Sequence, residues 1–95
     1  MDSRWADKFK VLADPNRLAV IGELLQGEFC AGELSERLEI EPTLLSHHLK
    51  VLREAGFVTS RREGKMIRYS LAEGLSCSVD GRALDLGCCQ ITFRK

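Results

Sequence analysis

The sequence predicts a mainly α-helical domain that carries one β-hairpin, and three observations lead to this fold class. Apolar residues recur at helical spacing through about the first 55 residues. Prolines stand at two positions where a helix can begin, and glycines stand where a helix can end. Beyond Gly56 the spacing changes to the alternation of two short strands joined by a glycine-containing turn.

The N-terminal part of the chain predicts two helices that meet at Asp14-Pro15. Proline is tolerated in a first helical turn, and the Asp14 carboxylate can cap the second helix. Gly27 is expected to end that helix. The apolar stripes of the two helices are formed by Trp5, Phe9 and Leu12, and by Leu18, Ile21 and Leu25.

A short third helix and a longer fourth helix follow, separated by a break of a few residues. Pro42 opens the fourth helix and Gly56 closes it. Glu41 would be the N-cap of this helix. Glutamate is not a favoured capping residue, but its charge suits the positive end of a helix. The third helix is marked by Ala31, Leu34 and Leu38.

The hairpin is expected to consist of two strands, Phe57 to Arg61 and Met66 to Leu71, with Glu63-Gly64 as the turn. In the second strand, alternation predicts that Ile67, Tyr69 and Leu71 point inward and that Met66, Arg68 and Ser70 point outward. The last residues contain little helical periodicity. The segment ALDLGCCQITF, residues 83–93, is expected to be extended.

Length and composition limit the classes of protein to consider. A chain of 95 residues forms one domain, and 44% hydrophobic with 29% charged residues is an ordinary globular composition. No apolar run approaches the ~18 residues of a membrane span. Charged residues interrupt the N-terminus, so no signal peptide is expected. We therefore expect a cytoplasmic protein with four reduced cysteines and no membrane association.

The charge is balanced overall but unevenly distributed. Residues 41–70 contain six lysines and arginines against three acidic residues, whereas residues 1–40 contain five against eight. A protein without net charge can hold a phosphate backbone if one face is basic. A random fluctuation of surface charge explains the same distribution equally well, so charge alone does not decide the matter.

The two histidines stand side by side on the fourth helix and have different surroundings. His48 falls beside the apolar face formed by Leu45, Leu49 and Leu52, and is expected to be semi-buried. His47 lies on the opposite face with Thr43, Lys50 and Glu54, flanked by Ser46. Sequence neighbours on a helix point about 100° apart, whereas histidine pairs that bind a metal favour i, i+3 or i, i+4 spacing. A shared metal ion is therefore disfavoured.

A short helix, a tight turn and a second helix with a polar outer face predict a helix-turn-helix. Ser46 and His47 would contact base edges, Thr43 a base or phosphate, and Lys50 a phosphate. A merely solvated helix face is the alternative. The hairpin argues against it, because basic residues cluster around the turn and would grip the flanking backbone or minor groove: Arg61, Arg62, Lys65 and Arg68. The fold class is therefore a winged helix-turn-helix.

At this point the sequence resembles the ArsR-type (ArsR/SmtB) winged-helix repressors, the arsenic- and metal-responsive family. The resemblance rests on LADPNRLAVIGEL, SHHLKVLREAGFV and RREGKMIRYSL, and covers about residues 5–72. It implies a homodimer that binds double-stranded DNA at an inverted-repeat operator, represses its own operon and is released by an inducer. Residues 1–75 would form the DNA-binding and dimerisation part, and residues 76–95 a cysteine-containing tail of the same domain.

The resemblance also bears on the inducer. Arsenic-sensing members carry a Cys-x-Cys at the start of the third helix. Here Cys30 matches the first of these cysteines and Gly32 occupies the place of the second. Other members bind zinc through histidines and carboxylates on a C-terminal helix. That site is excluded here because both histidines lie on the recognition helix and the tail does not resemble that helix.

The cysteines of the tail suggest a different thiolate site. Cys88 and Cys89 could supply two soft ligands for arsenite, antimonite or a soft metal ion, and Cys77 or, less favourably, Cys30 the third. No resident cofactor is required. Four alternatives stay open: a redox switch at Cys88-Cys89, cysteines that only pack, a repressor without an inducer, and a thiol carrier or metallochaperone. An enzyme is not expected, because no nucleophile–base pair or phosphate-binding loop is present.

Overall fold

The computed structural model describes residues 3–72, 76–77, 83–85 and 90–92, which form four helices, a short strand between the second and third helices, and five further antiparallel strands after the fourth helix. The helices are α1 (Ser3–Leu12), α2 (Pro15–Leu24), α3 (Ala31–Leu38) and α4 (Pro42–Glu54). The strands are β1 (Phe29–Cys30), β2 (Val58–Glu63), β3 (Met66–Leu71), β4 (Ser76–Cys77), β5 (Ala83–Asp85) and β6 (Gln90–Thr92). None of the described helices has the length and apolar character needed to cross a bilayer.

The helix starts are those that the sequence predicts. Asp14 caps α2: its Oδ1 accepts hydrogen bonds from the backbone N–H groups of Asn16 at 2.8 Å and Arg17 at 3.2 Å. Pro15 follows as the first helical residue. The end of α2 differs from the prediction, because the helix stops at Leu24 and passes into a turn before Gly27 is reached.

The hairpin lies in a three-stranded sheet of order β1–β3–β2. The prediction of its turn was wrong by one residue: Glu63 still pairs with Met66, and the turn consists of Gly64 and Lys65. Gly64 has a φ of 61°, a left-handed conformation that glycine adopts without strain. The two-residue strand β1, which pairs with β3 through Phe29 and Cys30, is too short to produce a periodic signal and was not predicted.

The core forms where the helices meet the base of the hairpin. Its fully buried side chains come from α2, α3, α4 and the segment after α4, and they include Val20, Ile21, Leu34, Leu45, Leu49, Leu52, Phe57 and Val58. The inward orientation predicted for Ile67 was wrong, since 46% of this residue is exposed. Ile67 lies near the hairpin turn, where the core covers it only in part. Tyr69 and Leu71, closer to the helices, are packed against the core.

A second antiparallel sheet of order β4–β5–β6 lies in the tail. The extended conformation predicted for residues 83–93 is therefore confirmed at 83–85 and 90–92. Ile91 packs against the core formed by the helices. Cys88 and Cys89 lie outside the described residues.

A polar contact fixes α4 against the start of α2. His48 is only 5% exposed, and its Nδ1 accepts a hydrogen bond from Arg17 Nε at 3.1 Å. The neutral ring therefore carries its proton on Nε2, which lies 4.0 Å from Asp14 Oδ1. The semi-buried, hydrogen-bonded role predicted for His48 is confirmed. Burial lowers the pKa of His48, and Arg17 and His47 lower it further, against an opposing effect of Asp14.

This arrangement predicts that the fold loses stability as the pH falls below about 6.5. The unfolded chain takes up a proton on His48 near its ordinary pKa of about 6.5, whereas the folded protein, with its lowered pKa, still holds the ring neutral. The unfolded state then binds more protons and stability decreases. Thermal melts of the wild type should therefore show a lower Tm at pH 5.5 than at pH 7.5.

His48→Asn is the matched variant, because the asparagine amide oxygen can still accept from Arg17 but does not titrate. Its Tm should change less between the two pH values. The carboxylates with lowered pKa titrate below this window and contribute equally to both proteins. An equal pH dependence in the variant would show that His48 is not the responsible group.

Candidate nucleic-acid interface

The outer face of α4 is polar and open to solvent. Thr43, Ser46, His47 and Lys50 are all exposed, as predicted from the helical spacing. Opposite them, Leu45, His48, Leu49 and Leu52 are buried. Because the buried face fixes the rotation of the helix, the four exposed side chains point away from the core together. They form a row of hydroxyl, imidazole and ammonium groups suited to contact a large polar partner.

The N-terminus of α4 is capped by Glu41. Its two carboxylate oxygens accept one hydrogen bond each, from the backbone N–H groups of Thr43 and Leu44, both at 3.0 Å. These bonds, together with a bond from the Thr43 hydroxyl, lower the pKa of Glu41. The prediction that Glu41 is the N-cap is confirmed. The positive end of the helix is thus neutralised internally, and Thr43 takes part in the cap.

The two histidines differ as the spacing predicts. Their ring centroids lie 5.6 Å apart with planes inclined by 58°, and the Nδ1 atom of His48 is already occupied by Arg17. His47 is exposed among the polar residues of the outer face. Within the part of the chain that the structure describes, no three His, Cys, Asp or Glu side chains lie together as metal ligands.

The four basic residues of the hairpin divide into two pairs, and the first pair is bound to carboxylates. Arg61 and Arg68 are directly opposite each other across β2 and β3. Arg61 contacts Glu63 at 2.6 Å and Glu28 at 3.0 Å, and Arg68 Nε contacts Glu63 at 3.3 Å. These bonds lower the pKa of Glu63 and raise that of Arg61. Two cations that would otherwise repel each other are therefore neutralised by intervening acidic groups.

The second pair, Arg62 and Lys65, is free of such partners. No carboxylate among the described residues lies within ion-pair distance of either side chain, and Arg62 contacts only the Gly64 carbonyl oxygen, at 3.4 Å. Both residues are exposed at the hairpin turn. Among the described residues, Arg62 and Lys65 are therefore the free cations of the wing, available to bind an anion. Arg61 and Arg68 would first have to release the carboxylates that they contact.

A groove of about 370 Å³ joins the wing to the start of α3 and to α4. Its lining combines a lysine and two hydroxyl groups with apolar side chains: Cys30, Ala31, Gly32, Ser46, Lys65, Met66, Ile67 and Tyr69. The groove therefore connects Ser46 of the outer face of α4 with Lys65 of the wing. The two surfaces predicted from the sequence are parts of one continuous surface.

Of the four cysteines, Cys30 and Cys77 lie among the described residues. Cys30 is buried, 5% exposed, at the junction of β1 and α3. Its backbone N–H donates to Glu33 Oε1 at 3.0 Å, and this bond, with one from the Cys30 thiol, lowers the pKa of Glu33. Cys77 lies in β4, and Cys88 and Cys89 are outside the described residues. The predicted thiolate site therefore stays a prediction.

Sequence reasoning missed three residues of this surface. Glu28 and Glu63 were not recognised as partners of the wing arginines, because Glu28 is 33 positions away from Arg61 in the chain. The register of the hairpin was the available signal for Glu63, since i, i+2 residues share one face of a strand. Leu44 was missed because a leucine is ordinarily assigned to the core, yet 43% of it is exposed.

Comparison with known proteins gives a consistent family. Residues 14–60 match the sequence model described as bacterial regulatory protein, arsR family. The chain is 55% identical over 64 residues to the biofilm growth-associated repressor of Agrobacterium fabrum, a match that covers 67% of this chain and 55% of that protein. It is 37% identical over 93 residues to the arsenical resistance operon repressor of Bacillus subtilis, covering 97% of this chain and 84% of the repressor.

Solved structures agree with the sequence matches. Reduced HlyU from Vibrio cholerae superposes with a TM-score of 0.71 at 34% identity, covering 83% of this chain and 78% of HlyU. The homodimeric winged helix-turn-helix DNA-binding domain Mb0332 from Mycobacterium bovis superposes with a TM-score of 0.70 at 31% identity, covering 74% of this chain and 65% of that domain. The predicted winged helix-turn-helix fold is confirmed.

The salt bridges of the wing predict that removing one carboxylate strengthens binding to polyanions. Glu63→Gln removes the carboxylate that Arg61 and Arg68 share and leaves Glu28 as the remaining carboxylate partner of Arg61, so the variant should elute from heparin at higher salt than the wild type. Asp7→Asn changes the net charge equally on α1, away from the wing, and should shift the elution less. Equal shifts in the two variants would show that only net charge matters and that the wing network does not restrain the arginines.

Proposed function

Because the chain belongs to the ArsR family of bacterial regulatory proteins, we propose that it is a dimeric repressor that binds double-stranded DNA at an inverted-repeat operator. Its recognition helix is α4. Ser46 and His47 contact base edges in the major groove, Thr43 a base or phosphate, and Lys50 a phosphate. The wing holds the flanking backbone or minor groove. The protein is not an enzyme in this proposal.

The observation that carries the proposal is the continuity of free polar and basic groups from α4 to the wing. Ser46 and Lys65 line the same groove, and Arg62 stands beside it without an acidic partner among the described residues. Cations beside a recognition helix bind backbone phosphates, and such contacts fix the register and orientation of a protein on a duplex. Arg61 and Arg68 join these contacts once phosphate replaces Glu28 and Glu63, an exchange that is inexpensive because exposed ion pairs contribute little.

Dimerisation is supported by the homodimeric state of the Mb0332 domain and by the small size of this chain. A single recognition helix reads only a few base pairs. Two helices related by a twofold axis read two half-sites about one turn of DNA apart. Any ligand that changes the spacing of the two helices then weakens both contacts at once.

We further propose that a thiophilic inducer, such as arsenite, antimonite or a soft metal ion, releases the repressor. Thiolates are the ligands that such ions prefer, and Cys77, Cys88 and Cys89 would supply three of them. The similarity to the arsenical resistance operon repressor of Bacillus subtilis supports this inducer class. Cys30 is a poorer ligand, because its thiol is buried and engaged with Glu33.

A redox-responsive repressor of the same fold is the second candidate. Two adjacent cysteines, Cys88 and Cys89, can close a disulfide under oxidation, and the HlyU structure similar to this chain is described as the reduced form. In this variant of the mechanism, oxidation rather than metalloid binding would move the tail. A thiol carrier or metallochaperone, the candidate from another class, leaves the free cations of the wing without a role.

Binding to DNA from the upstream region of the gene should depend on salt through the wing. The double variant Arg62→Ala/Lys65→Ala should lower the slope of log K against log salt by about 1 for each phosphate contact removed. Fluorescence anisotropy over a salt series measures this slope. Lys10→Ala, an exposed lysine on α1, is the matched control and should leave the slope unchanged. Slopes that are equal in both variants would place the phosphate contacts elsewhere.

Arsenite should release the reduced wild-type protein from DNA at roughly one equivalent per three-thiolate site. The triple variant Cys77→Ser/Cys88→Ser/Cys89→Ser should bind DNA normally and resist release, whereas Cys30→Ser should still respond. Release of the triple variant by arsenite would contradict the tail site. Release by an oxidant alone, with no effect of arsenite, antimonite, cadmium or zinc, would favour the redox-responsive repressor.

A further inference from the structure

Leu44 is an apolar side chain on the polar surface of α4. The other leucines of this helix are at most 1% exposed, whereas 43% of Leu44 is accessible to solvent. Among the described residues, the other exposed large hydrophobic side chains are Met66 and Ile67, both next to the turn of the wing. Isolated exposed leucines are common and need no explanation. Within the part of the chain that the structure describes, however, the exposed large hydrophobic residues are confined to the two elements proposed to face DNA.

The position of Leu44 is that of a base-contacting residue. It is the third residue of α4 and lies one turn before His47, so that the two side chains are neighbours on the helix surface. In a helix-turn-helix the N-terminal residues of the second helix approach the base edges most closely. Leu44 therefore stands in the part of the helix that enters the major groove first.

The surroundings of Leu44 exclude a phosphate as its partner. A leucine side chain donates no hydrogen bond, and the backbone N–H of Leu44 is already bound to Glu41 Oε2 at 3.0 Å. Leu44 can consequently gain binding free energy only by burial against an apolar group. In the major groove, the apolar feature of an unmodified base pair is the 5-methyl group of thymine.

We propose that Leu44 contacts the 5-methyl group of a thymine in each half-site of the operator and so selects T·A at that position. The assignment rests on the proposed function, because it requires α4 to enter the major groove. In this proposal α4 makes two kinds of base contact: Ser46 and His47 make polar contacts with base edges, and Leu44 makes an apolar contact with the thymine methyl group. The alternative partner of Leu44 is a second copy of the chain, which would cover this side chain in a protein–protein contact.

The test compares duplexes that contain thymidine with duplexes that contain deoxyuridine, which lacks only the 5-methyl group of the base. Duplexes bound by the full chain are selected from a randomised pool, and their thymines are then replaced one position at a time in both half-sites. Burial of one methyl group corresponds to about a fourfold change in affinity. Substitution of the contacted thymine in both half-sites should therefore weaken binding by about 15-fold.

Variants of the chain locate the effect. Leu44→Ala should bind the thymine duplex more weakly and show no further loss with deoxyuridine, because the contact is already gone. Leu44→Met keeps an apolar side chain of similar length and should remain sensitive to the substitution. Lys65→Ala should bind both duplexes more weakly but retain the full ratio between them, since it removes a phosphate contact and not a base contact.

The outcomes separate this assignment from the proposed function. If the wild type binds DNA but deoxyuridine affects wild type and Leu44→Ala equally, or if the selected half-sites contain no thymine, the Leu44 assignment is wrong and the repressor proposal stands. If Leu44→Ala changes the oligomeric state measured by sedimentation, Leu44 contacts a second copy of the chain and the thymine assignment is wrong. If the wild type binds no duplex, the proposed function fails and the assignment fails with it.

Discussion

The burial of one face of α4 is the constraint on which the rest of the structure depends. Leu45, Leu49 and Leu52 fill the space between α2, α3 and the base of the hairpin, and each is at most 1% exposed. Burial of a leucine side chain contributes about 1.5–3 kcal/mol, so this face cannot rotate outward without losing a large part of a small domain's stability. The orientation of the outer face is therefore fixed by the packing of the opposite face. A recognition surface can be polar and unpaired because the opposite face supplies the stability.

The hydrogen bond between His48 and Arg17 restricts the orientation of α4 relative to α2 more narrowly than apolar packing does. Hydrophobic burial tolerates small rotations and sliding, whereas a hydrogen bond between one ring nitrogen and one guanidinium nitrogen does not. Arg17 also donates to the Val11 carbonyl oxygen at 3.2 Å, so the same side chain joins the end of α1, the start of α2 and the middle of α4. One arginine thus links the end of α1 directly to α4.

The charged residues of this protein form local clusters that the net charge of the chain does not reveal. The chain has no net charge, yet the wing carries two cations that lack a carboxylate partner among the described residues and two that are held by carboxylates. Exposed ion pairs of this kind contribute little to stability, so their main effect is on the electrostatic potential that DNA meets. Glu28 and Glu63 reduce attraction to arbitrary polyanions. In the proposed complex with DNA, the base contacts of Leu44, His47 and Ser46 would then have more weight in the choice of sequence.

The sequence by itself determined the helices, the hairpin and the polar outer face of α4, because proline, glycine and apolar spacing act over a few residues. It also determined the different environments of His47 and His48, since helical geometry separates adjacent side chains. Only the tertiary structure decided which wing cations are free, because Glu28 reaches Arg61 through the pairing of β1 with β3 and not through the sequence. The exposure of Ile67 and Leu44 was likewise decided by how far the core extends. Local rules assign a residue to a face, but the packing of distant elements decides whether that face is covered.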